Sequence, residues 1–390
     1  MCIRDSSWCN RFLMLSERAN MSGNRNEEIR VTVLPGDGIG PEVVEAGVRV
    51  LEEVAQRFSV ALSLDYDDIG WAAVKRYGVP LADETLDRVR KSDAVLLGAV
   101  GGAEAESKDF AIRPEAGLLA LRKGMDLYAN LRPVRIFAPL LDASPLKPEI
   151  VKDTDLLVVR ELVGGIYFGE PRGREKTELG EERALNTMVY TVSQIERVVR
   201  MAFSLAMERR KQVISVDKAN VLDVSLLWRE VVTRIHPEFP EVELGHQYVD
   251  NCAMQLIRAP DQFDVIVTGN LFGDILSDEA AVLAGSIGML PSASLGTRGS
   301  LYEPVHGSAP DIAGQDKANP LATILSVAMM FRYAFGQKEA GALIEQAVLA
   351  ALEQGFRTPD LRAEGARFVG TKAMGDCVLD QIDRIRPDGR

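Results

Sequence analysis

The sequence predicts an α/β protein organised around a mainly parallel sheet. Two observations carry this reading. Short β-branched runs recur along the chain, and amphipathic helical stretches follow several of them, the pattern of βαβ units. At 390 residues the chain has room for two domains or one large α/β unit. The candidate strands, in order, are Val31–Leu34, Ala94–Leu97, Leu156–Val159, Val213–Val216 and Asp264–Val267. In Pro41–Phe58 the residues Val44, Val48, Leu51, Ala55 and Phe58 recur at intervals of three and four. In Val192–Arg210, Val192, Ile195, Val199, Phe203 and Ala206 do the same. That spacing gathers one apolar stripe on each helix. Glu170–Thr191 (EPRGREKTELGEERALNTMVYT) breaks the rhythm. It is highly charged and ends in a β-prone stretch, so it reads either as a projecting hairpin or arm, or as a long solvated loop.

Composition narrows the function. The chain is 46% hydrophobic and 26% charged, which excludes a disordered or fibrous protein. Its net charge of −12 argues against nucleic acid as a partner, since phosphate neutralisation needs clustered Lys and Arg. A local basic pocket for an anionic small molecule stays open. The longest apolar run, Leu321–Phe331, is interrupted by Thr323 and Ser326 and is shorter than the ~20 residues that span a bilayer. Cys2, Cys9, Cys252 and Cys377 form no CxxC or disulfide framework, so a reducing cytoplasm is expected. His236, His246 and His306 are too scattered for a zinc site, so any metal should be held by carboxylates. Residues 1–28 are polar and poorly periodic, with Met14 and Met21 as alternative starts. They read as a disordered extension or a misassigned start. Asp5, Glu17, Glu27 and Glu28 weaken a transit-peptide reading.

Five motifs bear on chemistry. LPGDGIGPEV (Leu34–Val43) ends a strand and opens a helix, with Pro41 suited to the first turn. Its spacing is GxGxG rather than GxGxxG, and no acid stands near Val60 for a ribose, so a tight βα turn is the better reading. Arg122, Arg132 and Arg160 form the second set. Arg160 follows an apolar strand, where ligands sit in open α/β sheets. Three guanidinium forks suit a di- or tricarboxylate, and the plain alternative is surface or ion-paired arginines. In GNLFGDILSDEAA (Gly269–Ala281), Asp274 and Asp278 lie four apart at the start of a helix. Like charges there cost ~0.2–0.5 kcal/mol, which a divalent cation would reverse, and oxygen ligands favour Mg²⁺ or Mn²⁺. Acids also simply favour a helix N-terminus. Asp250, in YVDNCAMQL, is a third acid.

Lys218, in VISVDKANV, stands just past a strand, where burial and neighbours can tune a lysine into a base. The alternative is an ion pair with Asp217. Tyr167, in GGIYFG, is a candidate acid. Finally, LYEPVHGSAPDIAGQDKANP (Leu301–Pro320) places Gly307, Ser308, Ala309, Pro310 and Gly314 in a low-bulk loop before a helix. Asp311 there suits a ribose hydroxyl and repels a phosphate, which favours NAD over NADP; the alternative is a structural loop.

Taken together, GDGIGPE, NLRP, RELxGGIYFG, DKANV, NLFGDILSDEAA and HGSAPDIAG, in this order, resemble the β-decarboxylating dehydrogenase family. That family holds isopropylmalate, isocitrate, homoisocitrate and tartrate/D-malate dehydrogenases. The resemblance runs from about Ile29 to about Gly375. It implies an isopropylmalate/isocitrate dehydrogenase-like two-domain α/β fold, with a mainly parallel sheet that is not a standard Rossmann fold. A first, cofactor-binding domain would hold residues 29–127 and 285–390. A second domain, 128–284, would carry the dimer interface and the arm at 170–191.

The resemblance also assigns roles. Arg122, Arg132 and Arg160 would clamp the substrate carboxylates. Asp274 and Asp278, with Asp250 from a partner subunit, would hold Mg²⁺ or Mn²⁺, and Asp250 would also touch substrate. The partner subunit's Lys218 would take the C2 hydroxyl proton, and Tyr167 would return a proton to the product. His306, Gly307, Ser308, Ala309, Asp311, Ile312 and Asn319 would line the NAD site, flanked by the GDGIG turn. Glu115, Leu118, Leu119 and Val221 match the isopropylmalate type. Physically, Leu118, Leu119 and Val221 would pack an isopropyl group, and a third carboxylate would lose its solvation there. The rivals are family members acting on D-malate, tartrate or homoisocitrate, and a non-catalytic subunit.

Overall fold

The computed structural model describes residues 28–102, 112–297, 299–361 and 364–385. The expectation for residues 1–28 falls outside them, save Glu28. The chain forms two compact units, Met1–Leu119 with Gly299–Arg390, and Ala120–Arg298.

The first unit opens with β1 (Ile29–Gly36), α1 (Gly40–Arg57), β2 (Leu62–Tyr66), α2 (Trp71–Tyr77), α3 (Asp83–Val89) and β3 (Ala94–Ala99). β1 pairs in parallel with both β2 and β3. The predicted runs Val31–Leu34 and Ala94–Leu97 form the centres of β1 and β3, and their apolar side chains are buried, as strands covered on both faces require. α1 realises the predicted stripe: Val44, Val48, Leu51 and Ala55 are buried. Pro41 occupies its first turn, where a missing N–H leaves no hydrogen bond unmade. α4 (Pro114–Gly124) carries the chain across the division.

The second unit contains β4 (Leu127–Arg135), α5 (Pro148–Val151), β5 (Asp155–Glu161), β6 (Gly173–Lys176), β7 (Glu182–Leu185), α6 (Val192–Met207), β8 (Gln212–Asp217), α7 (Asp223–Ile235), β9 (Glu243–Tyr248), α8 (Val249–Arg258), β10 (Val265–Thr268), α9 (Asn270–Leu283) and β11 (Pro291–Gly296). Its sheet runs β11-β4-β5-β10-β8-β9. β5, β10, β8 and β9 are parallel neighbours. β4 runs antiparallel to both β5 and β11. The apolar-run pattern finds β5, β8 and β10 and misses β4, because Asn130, Arg132 and Pro133 interrupt its apolar residues. Pairing with β4 keeps β11 in the second unit. The division between these units falls after Leu119 and before Gly299.

The charged segment is a hairpin: β6 and β7 pair antiparallel with Glu175 opposite Arg183. Its return segment ends at Thr191, whose hydroxyl accepts from the Gln194 N–H while the Gln194 side chain accepts from the Thr191 N–H. That capping box fixes the start of α6.

The chain re-enters the first unit with β12 (Ser300–Pro304), α10 (Leu321–Tyr333), α11 (Lys338–Glu353), the short pair β13 (Phe356–Arg357) and β14 (Arg367–Phe368), and α12 (Thr371–Arg384). β12 joins β3 in parallel, giving the order β2-β1-β3-β12. Every residue from Leu321 to Phe331 is buried, so the longest apolar run of the sequence is a core helix. Among the described residues no helix is long and apolar enough to cross a membrane.

Candidate active site

Two strands and one helix of the second unit build the charged centre. Asn130 on β4 lies directly opposite Arg160 on β5, and Arg132 follows two residues later on the same face. Arg132 is fixed along its length. Its Nε donates to Asn130 Oδ1 at 2.7 Å, and one terminal nitrogen donates to Ser277 Oγ at 2.7 Å and Asp278 Oδ1 at 3.1 Å. The Asn130 amide donates in turn to Ser292 and Ser294 Oγ, both at 2.9 Å.

Arg160 is 2% exposed. It donates to Asn270 Oδ1 from Nε at 3.1 Å and from Nη2 at 2.8 Å, and it ion-pairs with Asp274 through its other terminal nitrogen. Burial and the Arg132 and Arg122 cations lower this guanidinium to about 9, against the pull of Asp274. It therefore remains charged at neutral pH. Arg122, on α4, is also buried.

Asp274 and Asp278 stand one turn apart on α9, as their spacing predicts. Burial pushes the Asp274 carboxyl up. The Arg160 and Arg132 guanidiniums and the Tyr167 hydrogen bond outweigh it and hold Asp274 below the ordinary range. Asp278 lies further out, its carboxyl raised by partial desolvation despite Arg132. Tyr167 ends the helical turn Gly165–Tyr167 and donates its hydroxyl to Asp274 Oδ2 at 3.0 Å. Desolvation and the Asp274 charge raise the phenol, so it is protonated at neutral pH. The centre thus offers buried cations, an ionised acid and a neutral phenol in contact with one another.

Lys218 stands elsewhere in the second unit. Its ammonium pairs with Asp250 Oδ2 at 2.9 Å. The Asp217 alternative fails because Asp217 is already taken by both forks of Arg229 and by the Ala219 N–H. Neither Lys218 nor Asp250 is bonded to Tyr167, Asp274 or Asp278. Among the described residues no three His, Cys, Asp or Glu side chains gather as a metal site. The single chain therefore separates Asp250 from the Asp274–Asp278 pair. Val221, 69% exposed, lies in the turn that starts at Lys218. Glu115, Leu118, Leu119 and Arg122 recur at the intervals of one face of α4.

In the first unit, the GDGIG turn seats the 306–319 loop. The Ile39 N–H donates to the Ser308 carbonyl at 2.8 Å. Gly38, at φ +57°, approaches so closely that a Cβ would lie 1.9 Å from that carbonyl oxygen. Ile39, Val43 and Ala318 form an apolar seat for Ala309 and Ile312. Asp37 ties the turn down by accepting from the Trp71, Ala72 and Gly101 N–H groups, each at 2.9 Å. His306 is buried; its Nδ1 meets the Gly307 carbonyl, and its Nε2 has no hydrogen-bond partner among the described residues. The Asn319 amide donates to Asp360 Oδ2 at 3.0 Å. Gly307 and Asp311 are exposed.

Sequence reasoning did not single out Asn130, Ser277, Tyr190 or Asn270. Asn270 was within reach, since it precedes Asp274 by one helical turn inside a motif already noted. Tyr190 carried no signal beyond the β-prone end of the arm.

The description "Isocitrate/isopropylmalate dehydrogenase" belongs to the family model that matches residues 30–378. The chain belongs to this family of dehydrogenases. The 3-isopropylmalate dehydrogenase of Trichormus variabilis is 58% identical over 359 residues, covering 92% of this chain and 99% of that protein. That of Pseudomonas putida is 58% identical over 357 residues, covering 91% and 99%. Among solved structures, the isocitrate dehydrogenase from Methylococcus capsulatus matches with a TM-score of 0.81 at 37% identity, covering 91% of this chain and 99% of that one. A β-decarboxylating dehydrogenase from Thermococcus kodakarensis matches with a TM-score of 0.74 at 35% identity, covering 93% and 100%.

Proposed function

We propose that this chain oxidises 3-isopropylmalate with NAD⁺ and decarboxylates the product to 4-methyl-2-oxopentanoate, the oxidative step of leucine synthesis. The observation that carries the reading is the buried Arg132–Arg160 pair, with Asp274 ionised between them and the Tyr167 hydroxyl bonded to it. Planar guanidinium forks bind carboxylates bidentately, and a malate-type dicarboxylate presents two of them to this pair.

The donor sets fit both expected groups. Asp274 and Asp278 present oxygen ligands one turn apart, suited to Mg²⁺ or Mn²⁺. The orphaned His306 Nε2, beside a loop with little side-chain bulk, suits the cofactor, with Gly307, Ser308, Ala309, Asp311, Ile312 and Asn319 as its further lining. When bound, NAD⁺ would supply a hydride acceptor and the divalent cation, held by Asp274 and Asp278, would supply Lewis-acid chemistry. Arg122, Arg132 and Arg160 bind and orient the carboxylates. Lys218 removes the C2 hydroxyl proton. Tyr167 delivers a proton to the carbon that loses CO₂. Glu115, Leu118, Leu119 and Val221 set specificity, the apolar trio packing the isopropyl group.

We further propose a homodimer whose sites are completed by the partner subunit's Lys218 and the partner subunit's Asp250. Support comes from the separation of the Lys218–Asp250 pair from Asp274. Met254, Ile257, Ile275 and Val282 also leave α8 and α9 apolar and exposed. The cytoplasm is the proposed compartment, which suits the free thiols Cys252 and Cys377.

The test is a substrate panel of 3-isopropylmalate, isocitrate, D-malate and tartrate with Mg²⁺, following NADH formation, with NADP⁺ in parallel. A kcat/KM highest for 3-isopropylmalate with NAD⁺ supports the reading. A preference for D-malate or tartrate would discard the roles given to Leu118, Leu119 and Val221. Lys218→Ala should lower kcat by about 10²–10⁴-fold. A loss of only a few-fold would remove Lys218 as the base.

A further inference from the structure

The base of the charged arm meets the substrate clamp at Tyr190. The arm's return segment backs the turn that carries Tyr167: the Gly165 N–H donates to the Val189 carbonyl at 2.9 Å. A Cβ on Gly169 would lie 1.9 Å from the Thr187 carbonyl oxygen. The Tyr190 ring enters a slot walled by three glycines, and a Cβ on Gly164, Gly165 or Gly269 would fall 2.5–3.0 Å from its atoms. Trp228 packs edge-on against the ring, with centroids 5.5 Å apart. The hydroxyl at the end of this wedge accepts from the Asn270 N–H at 2.7 Å and bonds the buried Glu161 carboxyl. Asn270 is the first residue of α9, and its N–H is one of the donors a helix cannot satisfy internally.

The same residue holds Arg160. Asn270 Oδ1 accepts from both Nε and Nη2, and its amide donates to the Gly164 carbonyl at 3.1 Å. One turn on, Gly273 makes room for the arginine stem, since a Cβ there would lie 2.7 Å from Arg160 Cγ. The next residue is Asp274. The first turn of α9 is thus a cradle for Arg160, and the Tyr190 hydroxyl pins the cradle's first residue.

We infer that Tyr190, acting through Asn270, is a positioning residue for the substrate clamp. Its hydroxyl sets where Asn270 Oδ1 stands, and Asn270 sets the angle at which Arg160 meets substrate and Asp274. The inference rests on the proposed role of Arg160 as a carboxylate ligand. Neither Tyr190 nor Asn270 needs to touch substrate.

A double-mutant cycle tests it on the full-length protein. Tyr190→Phe keeps the ring in its slot and removes only the hydroxyl. Asn270→Ala removes the acceptor for Arg160, and Asn270→Asp restores an oxygen there. Tyr190→Phe should raise KM and the calorimetric Kd for 3-isopropylmalate by about tenfold, with KM for NAD⁺ changed less than about twofold. Asn270→Ala should cost more, and Asn270→Asp should recover part of the loss. In the Asn270→Ala background, Tyr190→Phe should add less than about twofold, because the two act in series. Thermal unfolding reports separately on the fold. An unchanged KM in Tyr190→Phe, or losses that multiply in the double variant, would overturn the inference. A parent enzyme that binds and turns over a different hydroxy acid overturns the substrate reading alone, and the cycle is then read with that acid. A parent that binds none of them overturns both.

Discussion

Where it meets the GDGIG turn, the 306–319 loop of the first unit is seated by backbone, and the arginine clamp of the second is held by side chains. In the loop, a carbonyl, an N–H and a glycine at positive φ meet with no room for a Cβ. In the clamp, Asn130, Ser277, Asn270 and Asp274 fix two guanidiniums through their functional groups. The first arrangement fails when an atom is added, and the second fails when a charge or a hydrogen-bonding group is removed. Under the proposed function each design would suit its ligand: a flat, extended cofactor needs a shallow surface of low bulk, and a small dianion needs fixed opposite charge at short range.

The largest break should come from Arg160→Ala. It strips Asp274 of its buried partner and leaves Asn270 Oδ1 with no donor at the site. Under the proposed role, losing this carboxylate ligand should lower kcat/KM for 3-isopropylmalate by about 10³-fold, or ~4 kcal/mol of transition-state stabilisation. KM for NAD⁺ should change little, because the described bonds that seat the 306–319 loop come from the GDGIG turn and Asp360 rather than from Arg160. Steady-state kinetics with each ligand varied in turn checks both halves of this statement. An equal loss of affinity for both ligands would dissolve the contrast between the regions.

The reciprocal break is Gly38→Ala. The added methyl cannot stay 1.9 Å from the Ser308 carbonyl oxygen, and the residue holds φ +57°. The loop must shift or the turn must rearrange, at about 1–3 kcal/mol of strain. KM for NAD⁺ should rise by about tenfold while calorimetric binding of 3-isopropylmalate stays near that of the parent. Unchanged cofactor affinity would mean that the seat seen in the structure does not govern NAD⁺ binding.

The contrast also explains what the sequence could reveal. β1, β3, β5, β8 and β10 announce themselves as apolar runs, because strands buried on both faces carry little else. β4 is hidden because it gives its inward positions to Asn130 and Arg132, which serve the clamp. Asp274 and Asp278 are legible as a pair because helical spacing is local. The Lys218–Asp250 contact is not, since 32 residues separate the partners and Asp217 is the obvious neighbour. Tyr190 is least legible of all. Its function depends on a slot made by Gly164, Gly165 and Gly269, and a slot is a property of the fold rather than of any one segment.

The finest test sets two acids against each other, one from each region. Asp37 is held by three backbone N–H groups, and burial outweighs them, so its carboxyl lies above the ordinary aspartate value. Burial also opposes ionisation of Asp274, but Arg160, Arg132 and the Tyr167 hydroxyl prevail and hold it below that value. The linkage signs are therefore opposite. Asp274 contributes stability that is present above the unfolded value of about 3.9 and is lost as pH falls through its lower folded value. Asp37 binds its proton more tightly in the folded state, so its contribution weakens as pH rises from about 3.9 through its raised value. Carboxyl-carbon NMR across pH 2–7, assigned with Asp37→Asn and Asp274→Asn, should show Asp274 titrating below free aspartate and Asp37 above it. Dipoles of the backbone hold a charge only against part of the cost of burial, whereas full guanidinium charges more than offset it. If the two residues titrate together near the ordinary value, backbone-held and side-chain-held acids are electrostatically equivalent here, and the guanidiniums do no more for Asp274 than three N–H groups do for Asp37, although both acids stay ionised at neutral pH.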